Sequence, residues 1–103
     1  MSAIIVKDTL PIGVEVDGKR CRDFEVRSGT LRDAIALSEI EGYLDLPENR
    51  KRYAGVAQRL SIEGVDPETI TLEFLMDMVD RDFIVIDNAA DEVEKKLDAL
   101  SSS

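Results

Sequence analysis

Between Ile70 and Leu100 an apolar seam suited to helix packing is wrapped in carboxylates, and this constrains the fold more than any other stretch of the chain. Phe83, Ile86, Ala90, Val93, Leu97 and Leu100 recur at alternating three- and four-residue spacings, which places them on one face of a helix. Leu72, Leu75, Met76 and Val79 form a second stripe upstream. From Asp66 to Leu100 eleven acids stand against Arg81, Lys95 and Lys96, so nearly all of the net charge of −9 lies there. Burying one Leu, Ile or Phe contributes about 1.5 to 3 kcal/mol, so leaving four of them in water forgoes roughly 6 to 12 kcal/mol. That is comparable with the whole stability of a small domain, about 5 to 15 kcal/mol. The seam is therefore expected to be largely buried, first in the chain's own core, otherwise in a homo-oligomer or against a partner.

A chain of 103 residues is expected to form one domain over 1–103 without disulfides or metal. With 44% hydrophobic residues it is too apolar for a fully disordered protein, and two Tyr, three Phe and no Trp predict a mainly aliphatic core. The single Cys21 has no internal partner, which points to a reducing, cytosolic setting. The apolar run Ala3 to Val6 is stopped by Lys7 and Asp8, far short of a signal-peptide core or a membrane span.

Asp17-Gly18 is the dipeptide a two-residue type I′ turn favours, because both central residues need positive φ. It predicts a hairpin over about 9–27, with Val16 opposite Lys19 and Val14 opposite Cys21. Leu10, Ile12 and Val14 then share a face, whereas the apolar set Cys21, Phe24, Val26 changes parity. A β-bulge at Arg22-Asp23 would restore one apolar face. A lone hairpin is too weak to stand alone, so that face must lie on helices.

Four helices are expected after Gly29. Thr30 and Asp33 make a weak capping box for a helix over about 30–42, which carries Leu31, Ala34, Ile35 and Leu37 to Ile40. Pro47 opens a second over about 47–62, with Tyr53, Val56, Ala57 and Leu60 on one face. Thr71 starts a third over about 71–79, and a fourth follows over about 81–100. Phe83 to Ile86 is β-branched enough to be a strand on propensity alone, but the continuing seam favours helix. The fold class is thus α+β, an N-terminal β-hairpin packed on a bundle of about four α-helices.

No residue pattern points to an active site. There is no His, so the common general base, the usual zinc ligand and the Ser-His and Cys-His nucleophile arrangements are missing. The six glycines make neither GxGxxG nor a phosphate loop. Asp80 to Asp91 spans the length of a calcium loop, yet Ile84 and Val85 stand where a ligand and a turn glycine belong. Cys21 reads as a small core residue. Arg50, Lys51, Arg52 and Arg59 form a basic cluster without interleaved aromatics, better read as a solvated helix face opposite the acidic helices than as a nucleic-acid patch. These features predict a protein that is not an enzyme, with no cofactor, no metal site, no nucleic acid and no membrane.

The run Gly13-Val14-Glu15-Val16-Asp17-Gly18 leading to Phe24-Glu25-Val26-Arg27, then Thr30-Leu31-Arg32-Asp33-Ala34, Ala57-Gln58-Arg59-Leu60 and Ile70-Thr71-Leu72-Glu73-Phe74-Leu75 followed by Asp80 and Asp82, resembles the tail assembly chaperones of Mu-like bacteriophages. The resemblance spans about residues 9 to 98. It implies a small non-enzymatic protein of the host cytoplasm, absent from the finished virion, that coats the tape measure protein and helps recruit tail tube subunits. It also implies a second, longer product made by ribosomal frameshifting. Arg27, Thr30 and Asp33 are read as structural, a link from hairpin to first helix.

An acidic, helix-packing module suits such a role, since charge opposes co-aggregation while an apolar edge supplies many modest contacts. The candidate partner-binding residues are Leu75, Met76, Phe83, Ile86, Val93 and Leu97, with the hairpin edge beside them. The rival reading is an acidic regulator or inhibitor that mimics nucleic acid and binds a basic partner.

Overall fold

In the computed structural model, which describes residues 3–102, the chain forms a three-stranded antiparallel sheet and four helices, an α+β fold. Strands β1 (Ile5–Val16) and β2 (Lys19–Arg27) make the hairpin, and β3 (Leu60–Ile62) adds to the far side of β2. Asp17 at φ 50° and Gly18 at φ 79° form the turn, with Val16 opposite Lys19 and Val14 opposite Cys21, the expected register.

The bulge lies on the other strand from the one expected. Asp23 pairs with Thr9 and Cys21 with Val14, so Leu10 to Gly13 of β1 oppose Arg22 alone. The physical reason is where the backbone can leave the ladder. Pro11 has no N–H to donate, and Gly13 sits at φ 96°, a left-handed conformation that glycine adopts without steric penalty. The freed groups are satisfied by side chains. Ile12 and Gly13 N–H donate to the two carboxylate oxygens of Asp82 at 2.8 and 3.0 Å. Arg22 donates to the Leu10 and Pro11 carbonyls at 2.9 and 3.2 Å, and Arg20 to that of Ile12 at 3.2 Å. The excursion turns Leu10 fully into the core.

Helix α1 (Leu31–Ser38) starts at the Thr30–Asp33 capping box and is shorter than expected, ending at Glu39. Gly42, at φ 80°, turns the chain into a 3-10 turn at Tyr43–Asp45. Helix α2 (Glu48–Arg59) follows Pro47, which occupies the cap rather than the first turn. It stops three residues early, because Leu60 swings to extended backbone and enters β3. Helix α3 (Leu72–Met76) is one short piece capped by Thr71, whose hydroxyl accepts from Phe74 N–H at 3.3 Å. Helix α4 (Asp80–Ser101) runs unbroken through Phe83–Ile86 and lies across β1 and β2. Asp80 and Asp82 in its first turn complement the positive end of the helix dipole.

One core joins these layers. Val26, Phe24, Leu60 and Ile62 on the inner sheet face meet Leu10 from the bulge, Val56 and Ala57 from α2, Leu75 from α3, and Ile86, Ala89, Ala90 and Val93 from α4. The outer sheet face is polar, with Lys7 paired to Glu25 and Glu25 to Ser61.

Candidate functional site

The six candidate residues divide between interior and surface. Ile86 and Val93 are fully buried, and Leu75 is nearly so, all three in the core. Phe83 and Leu97 are half-buried against it, and Met76 is 53% exposed. Leu75, Met76 and Phe83 are brought together with Tyr53, Leu72 and Met78 around a groove of about 290 Å³ where α2, α3 and α4 meet. Tyr53 and Phe83 meet there edge-to-face, ring centroids 5.0 Å apart. Ile86, Val93 and Leu97 do not reach this groove.

Two residues of the basic cluster, Arg52 and Arg59, face the acidic helix α4, while Lys51 reaches Glu48 of its own helix at 3.7 Å. Arg52 binds Asp87 and Asp91, one turn apart on α4, at 2.9 Å each. Its guanidinium is held above its ordinary pKa, chiefly by the bond to Asp87 against the desolvation that burial brings. Arg59 lies in the α2–α4 seam, donates to the Gly55 carbonyl at 3.1 Å and approaches Glu94 at 3.9 Å. Burial lowers its pKa, with the Glu94 charge opposing.

Arg27, the last residue of β2, makes a two-pronged bond to Asp33 at 2.6 and 3.0 Å. The same carboxylate accepts from Thr30 N–H at 2.9 Å. The Arg27 guanidinium, helped by the Thr30 amide, holds the Asp33 carboxyl well below the usual carboxylate range. Strand end and helix start are thus fastened together, which is the structural role read for Arg27, Thr30 and Asp33.

A larger groove, about 840 Å³, opens on the other side of α3. Leu37, Ile40, Tyr43 and Leu46 line it from the α1 side, Ala54, Ala57 and Leu60 from α2 and β3, and Ile70 and Leu72 from the α3 side. Leu72 lines both grooves. Around the larger groove, α1 and the turn that follows leave large apolar side chains uncovered. No side chain of α1 is buried, and Leu31, Ile40 and Leu44 are 76%, 53% and 70% exposed. The sequence pattern identified this stripe without saying what covers it, and the signal for its exposure is its excess: Leu31, Ile35, Leu37 and Ile40 on so short a segment exceed what one packed face needs.

Among the described residues, no three His, Cys, Asp or Glu side chains are placed to hold a metal ion, and no helix is long and apolar enough to cross a membrane. The two grooves offer apolar surface, which suits non-covalent binding of another apolar face. No family model matches the sequence, and no curated protein or solved structure matches the chain.

Proposed function

We propose that this chain is a non-enzymatic assembly chaperone of the phage tail type, binding the tape measure protein and helping recruit tail tube subunits in the cytoplasm of the bacterial host, outside the finished virion. The observation that carries this reading is apolar surface left uncovered around α1 and the two grooves, on a chain of net charge −9. Exposed Leu and Ile side chains bind apolar helix faces by many modest contacts, while the shared negative charge keeps copies of the chain apart. Acids that an anionic mimic would display are in part committed elsewhere. Asp82 is buried on the β1 bulge, and Asp87 and Asp91 are bridged by Arg52.

Co-expression with the tape measure protein, followed by co-purification at rising salt, tests the reading. Binding led by apolar burial should survive about 1 M NaCl, where the Debye length falls to about 3 Å. Steep loss of the complex with salt would favour the acidic mimic, and absence of any complex would remove the chaperone reading.

A further inference from the structure

The larger groove has a charge pattern that specifies its occupant. Two of the three stretches that wall it lack any cation: from Asp33 to Asn49 there are five acids and no Lys or Arg, and from Leu60 to Asp80 six acids and none. The third wall, α2, brings Lys51 over the Tyr43 ring at 5.9 Å, with Glu48 3.7 Å from its ammonium. Glu41 and Glu73 belong to the lining itself. Arg27, the basic residue of the lining, is occupied by Asp33. Between these walls the exposed or half-buried lining is largely apolar, with Leu37, Ile40, Tyr43, Leu46 and Leu72, over a floor of buried Ala54, Ala57, Leu60 and Ile70. Gln58, also in the lining, has a side-chain carbonyl shielded from solvent that accepts no hydrogen bond within the chain.

We infer that this groove takes an amphipathic helix of a partner protein whose apolar stripe is flanked by Lys or Arg. The inference rests on the chaperone reading only for the partner's identity. Apolar burial along Leu37, Ile40, Leu46 and Leu72 holds the helix, and the acidic walls select its register and exclude acidic helices. A second copy of this chain is a poor occupant, because its own exposed apolar helix α1 carries Asp33, with Glu39 at its C-terminal cap, beside a single Arg32.

The probe is a synthetic helix of about 18 residues, long enough for five turns, with Leu at helical spacing and Lys on both flanks, compared with the same peptide carrying Glu flanks. Titration should show the Lys peptide binding about tenfold more tightly, with amide shifts at Leu37, Ile40, Ala57 and Leu72. Replacing both wall acids, Glu41→Lys with Glu73→Lys, should invert the preference. Ile40→Asp should weaken the Lys peptide about tenfold, while Met76→Asp in the smaller groove leaves it unchanged. All four positions are exposed, so an unchanged urea midpoint confirms that each variant is folded. Equal binding of the two peptides, shifts confined to Met76 and Phe83, or self-association that protects the groove amides would each overturn the inference. Co-purification separates the two claims. If Ile40→Asp weakens the Lys peptide but keeps the tape measure protein, the groove is not its site and the chaperone reading stands. If the unaltered chain fails to co-purify while the Lys peptide still binds, the chaperone reading falls and the groove stands.

Discussion

Helices α1 and α4 carry similar apolar stripes and end in opposite states. Helix α4 lays Ile86, Ala89, Ala90 and Val93 completely into the core, whereas α1 buries nothing. What separates them is the surface each one meets. Helix α4 has 22 residues lying across two strands, and its path is anchored by Asp82. Helix α1 has eight residues, is fastened at one end by Arg27, and touches mainly α2. An amphipathic pattern therefore states that a face seeks burial, and the length and geometry of the neighbouring surface decide whether it finds it within the chain.

The contrast breaks if core and surface positions respond alike. Ile86→Ala should cost about 2 to 5 kcal/mol, because a fully buried Ile leaves a cavity that close packing refills only in part. Urea unfolding measures it, and a cost near zero would mean that α4 is not docked as described. Next in size is Asp82→Ala, which strands two bulge amides and should cost about 1 to 3 kcal/mol. Hydrogen exchange should speed up at Ile12 and Gly13 ahead of the turn at Asp17-Gly18.

Smaller still is the fastening of α1. The Asp33 pKa is lower in the folded chain than in the unfolded one, so its contribution is complete above the unfolded value near pH 4 and is lost as pH falls toward the lower folded value. Solvent screening keeps this below about 1 kcal/mol. Comparing the chain with Asp33→Asn at pH 6 and pH 3 should show the difference between them shrinking in acid. Ile35→Ala should sit within about 0.5 kcal/mol of the parent. A cost matching that of Ile86→Ala would erase the comparison.

Local chemistry was legible in the residues. The Asp17-Gly18 turn and its register, the Thr30–Asp33 cap and the helical path of α4 all depend on neighbours within a few positions and stand as expected, whereas the seam's last residue, Leu100, is 59% exposed. The parity change in the hairpin correctly demanded a bulge, and Pro11 and Gly13 were the local signals for its strand; the Asp82 carboxylate that satisfies the freed amides lies 70 residues away from Ile12 and was not legible. Strand β3 was hidden because Leu60 continues the helical spacing of Tyr53, Val56 and Ala57. Only the apolar-polar-apolar step Leu60-Ser61-Ile62 hinted at extended backbone. In the candidate surface, periodicity identified a face but gave no depth along it. Leu75, Ile86 and Val93 thus went to the interior, and the walls around Ile40 and Leu46 were not foreseen.

The bond from Asp82 to the β1 bulge also orders events in time. At a synthesis rate of about 5 to 20 residues per second, Ile12 waits on the order of ten seconds for its anchor. Through that interval the turn can close, but the amides of Ile12 and Gly13 have water as their partner and Leu10 lacks the helix that covers it. The hairpin is thus the first element made and among the last completed. A chain halted before Asp80 should show fast amide exchange at the bulge beside a turn already formed.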